Sequence, residues 1–345
     1  MAKAPHELLI EEVKKVFDAH HEPIDETTDK KLIINACVSG GFVNRSHNPN
    51  LPVTAEEVGK DVGRAWNAGA AMWHFHPKDP MNENIFLPVD QRVKLHKEWC
   101  DAAFKEARDI ITCVGAIYTS SPVFLFGSLV DEKSMLAETR MAPIVDPLIK
   151  LGPNNRYIEI GISLCHAASL GRGTNLLSFN NRVGIVSDVK FLQSKGIRVE
   201  LSPFKHSDLQ DVKDWVIDAG IAQPPVIVDT LMGIHNSPTP RSAMEAIELL
   251  LTYVRMFPRV KGVLWHMLSG GRYWLPLTMA SIMLGADIVR VGLEDAIYMY
   301  PHSNDLIKSC GKVVEAVAGI ARFFGREVAT PSEARKILGL PQIQS

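Results

Sequence analysis

Short apolar runs alternate with helix-length amphipathic stretches along the chain. Residues 31–39, 71–76, 110–116, 156–163, 198–203, 225–232, 262–268 and 287–293 read as strands. Between and after them, residues 54–68, 89–107, 135–151, 182–194, 208–219, 241–257, 277–284 and 303–324 carry helical patterning. Punctuation agrees with this order. Thr54 precedes Glu57 by three residues, the spacing of a capping box, and Gly69, Gly196 and Gly285 stand where helices give way to strands. Strand followed by helix, repeated eight times, predicts an α/β chain folded as a (β/α)8 TIM barrel. The alternative is a doubly wound open sheet, but no GxGxxG follows the first strand.

Two stretches read as additions. Residues 1–30 form an N-terminal extension, with Leu8, Leu9, Val13, Val16 and Phe17 at helical spacing. This helix is expected to pack on the barrel or on a neighbouring subunit. Residues 31–345 then make up the barrel domain. Within it, residues 117–134 are long for a connection after the third strand.

Composition narrows the function. The chain has 345 residues, with 37 basic and 39 acidic side chains giving a formal net charge of −2, and 46% of its residues are hydrophobic. That balance excludes a disordered chain and offers no excess positive charge for nucleic acid. No apolar run approaches the roughly 18–20 residues that cross a bilayer, so no membrane partner is expected. Charged residues follow Met1 where a signal peptide carries its apolar core. The cysteines Cys37, Cys100, Cys113, Cys165 and Cys310 are scattered and odd in number. This suits a reducing, cytoplasmic setting in which thiols pack as small apolar groups.

The strongest chemical signal is His74-Phe75-His76. Alternation along a strand puts both histidines on one face and Trp73 and Phe75 on the other. In a barrel the aromatic face meets the helices and the imidazoles point to the mouth. There they suit a zinc ion, although a hydrogen-bonded pair of core histidines has the same pattern. In the last strand, Arg290 and Glu294 share a face, and Asp295 lies just beyond its end. Charges turned into a barrel need partners. Either Arg290 and Glu294 pair with each other, or Glu294 is a metal ligand and Arg290 an anion clamp. Ser269-Gly270-Gly271-Arg272 after the seventh strand is either a phosphate-binding turn or a plain one. Glu200 and the run Gly171–Asn175 also fall at strand ends or in the loops after them, while Asp229 and His266 read as core polar groups.

Taken together, these motifs resemble those of the β-keto acid cleavage enzymes, of the type that cleaves 3-keto-5-aminohexanoate. The resemblance rests on Leu51-Pro52-Val53-Thr54-Ala55-Glu56-Glu57 and on His74-Phe75-His76-Pro77-Lys78-Asp79-Pro80. It rests further on Gly173-Thr174, on Arg290-Val291-Gly292-Leu293-Glu294-Asp295 and on Gly325-Arg326-Glu327-Val328-Ala329-Thr330-Pro331. It implies an oligomeric zinc enzyme, a homodimer or homotetramer, that takes a β-keto acid and acetyl-CoA to acetoacetate and a new acyl-CoA. By the same analogy His74, His76 and Glu294 hold zinc, Arg290 and Asp295 are catalytic, and Glu200 and Thr174 belong to the active site. Gly40, Phe42, Lys78, Gly115, Ser269, Gly270 and Arg272 would line the substrate and CoA side.

The chain departs from that pattern in three places. Phe42 stands where a Glu suited to a substrate ammonium is expected, Gly115 where a Ser is expected, and Lys78 where an Arg is usual. Competing readings are a zinc-dependent aldolase or hydrolase on the same barrel and a metal-binding barrel without turnover. A hydrolase of the amidohydrolase type would bring metal ligands from the middle strands, and the sequence offers no such set.

Overall fold

All eight expected barrel strands form in the computed structural model. It describes residues 4–19, 30–41, 43–115, 123–125, 136–165, 168–170, 176–234 and 237–343. In chain order the strands are β1 (Ile33–Ser39), β2 (Met72–Phe75), β3 (Ile111–Val114), β4 (Val123–Leu125), β5 (Ile160–Leu164) and β6 (Ala168–Leu170). They continue with β7 (Leu176–Phe179), β8 (Arg198–Ser202), β9 (Val226–Met232), β10 (Val263–Ser269) and β11 (Ile288–Val291). Eight of them close a barrel in the order β1-β11-β10-β9-β8-β5-β3-β2, and every pairing in it is parallel. The remaining three, β4-β7-β6, form a small antiparallel sheet that the hydrophobic pattern did not announce.

Strand parity divides the apolar side chains into two cores. Leu32, Ile34, Ala36, Trp73, Phe75, Val228 and Val289 point outward into a layer shared with the helices. Ile33, Met72, Ile111, Ile160, Ile227 and Ile288 point inward and fill the lower barrel. The C-terminal helix Pro331–Leu338 closes that end, adding Ala334 and Leu338 to the inner core. Arg335 anchors it by a buried two-point bridge to Glu159, at 2.5 and 3.2 Å, and Glu159 also accepts the Thr112 N–H at 3.0 Å.

Several helix boundaries differ from the pattern. The capping box at Thr54 forms as read, with helix Ala55–Ala68 after it. The stretch expected as one helix over 135–151 is two, Ala137–Arg140 and Ala142–Ile149. Pro143 supplies no N–H and sits in the first turn of the second helix. The helix expected from 303 begins at Cys310, because Ser309 caps it and the preceding residues fold back in a bridge between Tyr298 and Leu306. The helix expected over 277–284 starts earlier, as Trp274–Met283. That expected over 208–219 runs His206–Val212 and then widens into a π turn, Lys213–Ile217.

The N-terminal helix forms as Pro5–Ala19. Its Leu8, Leu9, Val13 and Val16 are 50–66% exposed, so packing onto the barrel of its own chain is not observed. Of the long stretch 117–134, only β4 lies among the described residues.

Candidate active site

β2 ends at Phe75, and the chain runs on through His76, whose N–H donates to the Ser39 carbonyl at 2.9 Å. Trp73 and Phe75 turn outward, stack with ring centroids 4.0 Å apart, and pack among the helices with Trp99. His74 and His76 turn inward, as alternation requires. Their Nε2 atoms lie 3.1 Å apart. Glu294, just past β11, places Oε2 at 3.2 Å from His74 Nε2 and Oε1 at 3.2 Å from His76 Nε2. The strand order explains the meeting: β11 and β2 flank β1, so two ends of the chain adjoin across one strand.

Two glycines make room for these side chains. A Cβ at Gly115 would lie 2.1 Å from His76 Cε1, and one at Gly40 would lie 2.3 Å from Glu294 Cγ. Both positions were expected to line the substrate side. Here each abuts a side chain of the His-His-Glu cluster, and a Ser at position 115 would collide with the His76 ring.

Arg290 points into the barrel and grips Asp295 at two points, Nε to Oδ2 at 2.9 Å and Nη2 to Oδ1 at 2.5 Å. Its Nη2 lies 3.6 Å from Glu294 Oε1. The two readings of Arg290 therefore merge: its main partner is Asp295, with Glu294 beside it. The Cys37 thiol donates to Asp295 Oδ2 at 2.9 Å, so three hydrogen bonds from two side chains orient this carboxylate.

Electrostatics favour ligation. Burial, and then the positive charge of Arg290, push the His74 pKa down to about 4, leaving the ring neutral with a free lone pair at neutral pH. Glu294 is held well below the usual carboxylate range. Its burial opposes this, but Arg290 and the two imidazoles outweigh it. Glu294 Oε2 is nevertheless buried without a well-aligned hydrogen bond.

Behind His74 lies a second polar cluster. Cys113 Sγ is 3.6 Å from His74 Nδ1 and donates to Glu200 Oε2 at 3.2 Å. His266 Nδ1 is 3.4 Å from Glu200 Oε1 and 3.0 Å from Asp229 Oδ1, and all three side chains are fully buried. Burial raises the carboxyl of Asp229, and the charge of Glu200 adds to that. Glu200 is kept ionised against burial by His266. Asp229 and His266 are buried core polar groups, as expected, while the middle strands, expected to offer no set of metal-ligating residue types, do bring three such side chains together. They join Glu200 across β8, β9 and β10. The available signal was an inward polar residue in each of three consecutive barrel strands.

The remaining candidates are placed unevenly. Lys78 is fully buried and donates from Nζ to the Val43 carbonyl at 2.6 Å; burial lowers its pKa. In the loop after β10 the two glycine N–H groups are already engaged. The Gly270 N–H goes to Met232 O at 2.8 Å and the Gly271 N–H to Asp295 O at 2.9 Å. Arg272 stacks 3.7 Å above Tyr298 and donates to Ser303 O and Asn304 Oδ1, while Ser269 is buried at the end of β10. That loop instead braces the backbone of Asp295. Phe42 and Thr174 lie outside the described residues.

Comparison with known proteins now bears on this geometry. Residues 31–340 match the model of the family described as beta-keto acid cleavage enzyme. The 3-keto-5-aminohexanoate cleavage enzyme of Acetoanaerobium sticklandii is 30% identical over 313 residues, covering 90% of this chain and 99% of that protein. The 3-dehydrocarnitine:acetyl-CoA trimethylamine transferase of Rhizobium meliloti is 24% identical over 323 residues, covering 90% of this chain and 97% of the other. Among solved structures, a ternary complex of ObcA with a C4-CoA adduct and oxalate superposes with a TM-score of 0.61 at 17% identity. It covers 85% of this chain and 68% of that one, a likeness of fold. With the match running through nearly the whole barrel, the chain belongs to the beta-keto acid cleavage enzyme family.

Proposed function

We propose that this chain condenses a β-keto acid with acetyl-CoA to give acetoacetate and a new acyl-CoA, with zinc held by His74, His76 and Glu294. The observation that carries the reading is the convergence of those three side chains beside the Arg290–Asp295 pair at the barrel mouth. The donor set fits the ion. Two imidazole nitrogens and a carboxylate suit zinc, and their separations of 3.1–3.2 Å compare with an edge of roughly 3.3 Å for a tetrahedral shell with bonds of about 2.0–2.1 Å. When bound, zinc supplies Lewis-acid polarisation of the substrate's keto oxygen.

The protein's own groups supply the rest. Asp295, held in one orientation by Arg290 and Cys37, takes the proton from the carbon between the keto and carboxylate groups. Arg290 offsets the negative charge on Asp295 before transfer and faces the oxygen that gains charge afterwards. That carbon forms a bond to the acetyl carbon of acetyl-CoA. Addition of the released CoA thiolate to the keto carbon then breaks the original carbon–carbon bond. The two-carbon acid fragment leaves as the carbanion of acetoacetate, to which Asp295 returns its proton, and the keto acid's acyl group leaves on CoA, so atoms and charges balance. Lys78 provides a buried positive charge on the same side as Glu294, suited to a carboxylate or to CoA. Glu200 supports His74 through the Cys113 thiol. Thr174 is retained as a substrate-side residue, and a homo-oligomer in the cytoplasm is the expected working form.

The test is a panel of β-keto acids incubated with acetyl-CoA, each acyl-CoA product being identified by mass. Acetoacetate should form together with an acyl-CoA bearing the side chain of the keto acid. Product release that does not require CoA would sink the exchange reading, and full turnover after exhaustive chelation would sink the metal.

A further inference from the structure

The second buried cluster has the geometry of a coordination shell. Glu200, Asp229 and His266 come from the consecutive barrel strands β8, β9 and β10, with His266 and Asp229 directly paired in register. Their potential donor atoms all lie within 4.8 Å of one another. The two measured edges, 3.0 and 3.4 Å, bracket the 3.1–3.2 Å edges of the His74, His76 and Glu294 set.

The contacts are not those of an ordinary hydrogen-bonded triad. His266 Nδ1, Glu200 Oε1 and Asp229 Oδ1 are close, yet none of the three makes a well-aligned hydrogen bond. A ring N–H that served Asp229 would point along the line to its acceptor. Atoms that share a central ion instead approach each other off that line. Glu200 has its other oxygen engaged by the Cys113 thiol, as an outer support of a ligand should be.

The cluster's charges balance through protons: Glu200 is kept ionised, burial and Glu200 push Asp229 up toward its neutral form, and Glu200 and Asp229 raise His266 to about 9 against its burial. A dication would take the place of those protons, so the site rests on the geometry above.

We propose that Glu200, Asp229 and His266 form a second metal site in the barrel interior, taking one divalent transition-metal ion of the zinc or manganese class. It is separate from the mouth site and communicates with it through Cys113, which touches Glu200 on one side and His74 on the other. The mixed set of one nitrogen and two carboxylates is harder than the two-histidine set above it, so the inner site should favour manganese relative to zinc more than the outer one does.

The test titrates the chelated, metal-free full chain with cobalt(II) alone and counts the metal retained after desalting. Wild type should retain two equivalents, Asp229→Asn one, His74→Ala one, and the double variant none. In His74→Ala, where only the inner site remains, cobalt should still raise the melting temperature, and adding Asp229→Asn should abolish that rise. His266→Gln repeats the measurement should Asp229→Asn fail to fold. Wild type retaining a single equivalent that Asp229→Asn keeps and His74→Ala loses would overturn the inner site and leave the proposed function standing. A single equivalent kept by His74→Ala and lost by Asp229→Asn would support the inner site and overturn the outer one.

Discussion

The lower and upper halves of the barrel interior are built on the same strands with the same parity, yet they hold opposite chemistry. Below, inward positions are Ile33, Met72, Ile111, Ile160, Ile227 and Ile288, all fully buried. Above, the inward positions include Asn35, Cys37, His74, Cys113, Asp229 and Arg290, joined by Glu200 and His266. The lower half gains its stability by excluding water, and the C-terminal helix seals it. The upper half carries buried polar groups that cost stability unless they pair or bind something. The contrast teaches where substitutions should act: changes below should alter folding, and changes above should alter binding and turnover.

The largest test of that division is Arg335→Ala. It leaves the buried Glu159 without the guanidinium that opposes its burial, which should cost about 3–5 kcal/mol. The Michaelis constant and metal content of the surviving folded fraction should match wild type, checked by denaturant unfolding beside steady-state kinetics. A change in metal content would show that the halves are coupled. Gly115→Ala comes next. Its Cβ would meet the His76 ring, and overpacking costs about 1–3 kcal/mol. Metal affinity and turnover should fall together, as read by metal titration and by rate. Cys37→Ala removes one of the groups that orient Asp295. A hydrogen bond to a charged group is worth about 1.5–3 kcal/mol, so turnover should drop by roughly ten- to a hundredfold with metal content unchanged.

The last test is a titration outside both halves. His96 is fully buried in helix Val89–Glu106, and burial lowers its pKa to about 4. Unfolded, it regains its ordinary value near 6.5, so between about pH 4 and 6.5 the unfolded chain binds the extra proton and stability rises with pH. Asp188, raised to about 7 chiefly by burial, works in the opposite sense. His74, lowered to about 4 in the same way, adds to the upward slope. Comparing wild type with His96→Gln isolates the share of His96: the variant's slope in this window should be less positive than that of wild type, measured by unfolding at a series of pH values.

The barrel was legible because parity and length suffice to define a strand. His74 and His76 were legible as neighbours two residues apart, and Glu294 and Arg290 because charges turned into a barrel demand a reason. The Glu200–Asp229–His266 cluster was not, since its members stand apart in sequence and meet only through the register of β8, β9 and β10. The two half-helices Ala137–Arg140 and Ala142–Ile149 were hidden because apolar spacing continues across Pro143. The β4-β7-β6 sheet was hidden because its strands are too short to show alternation. The loop after β10 misled because glycines imply free N–H groups, whereas here the backbone of Asp295 and β9 had already claimed them.

The placement of β1 between β2 and β11 has a consequence for how the molecule is made. His74 is synthesised early and Glu294 late, and they become neighbours only when the last strand docks against the first. A nascent chain ending before Ile288 owns both imidazoles but lacks the opposing carboxylate. Under the proposed ligation, capture of an ion at the rim would be tied to completion of the ring, and a cation bound there would act as a latch on the final step of assembly.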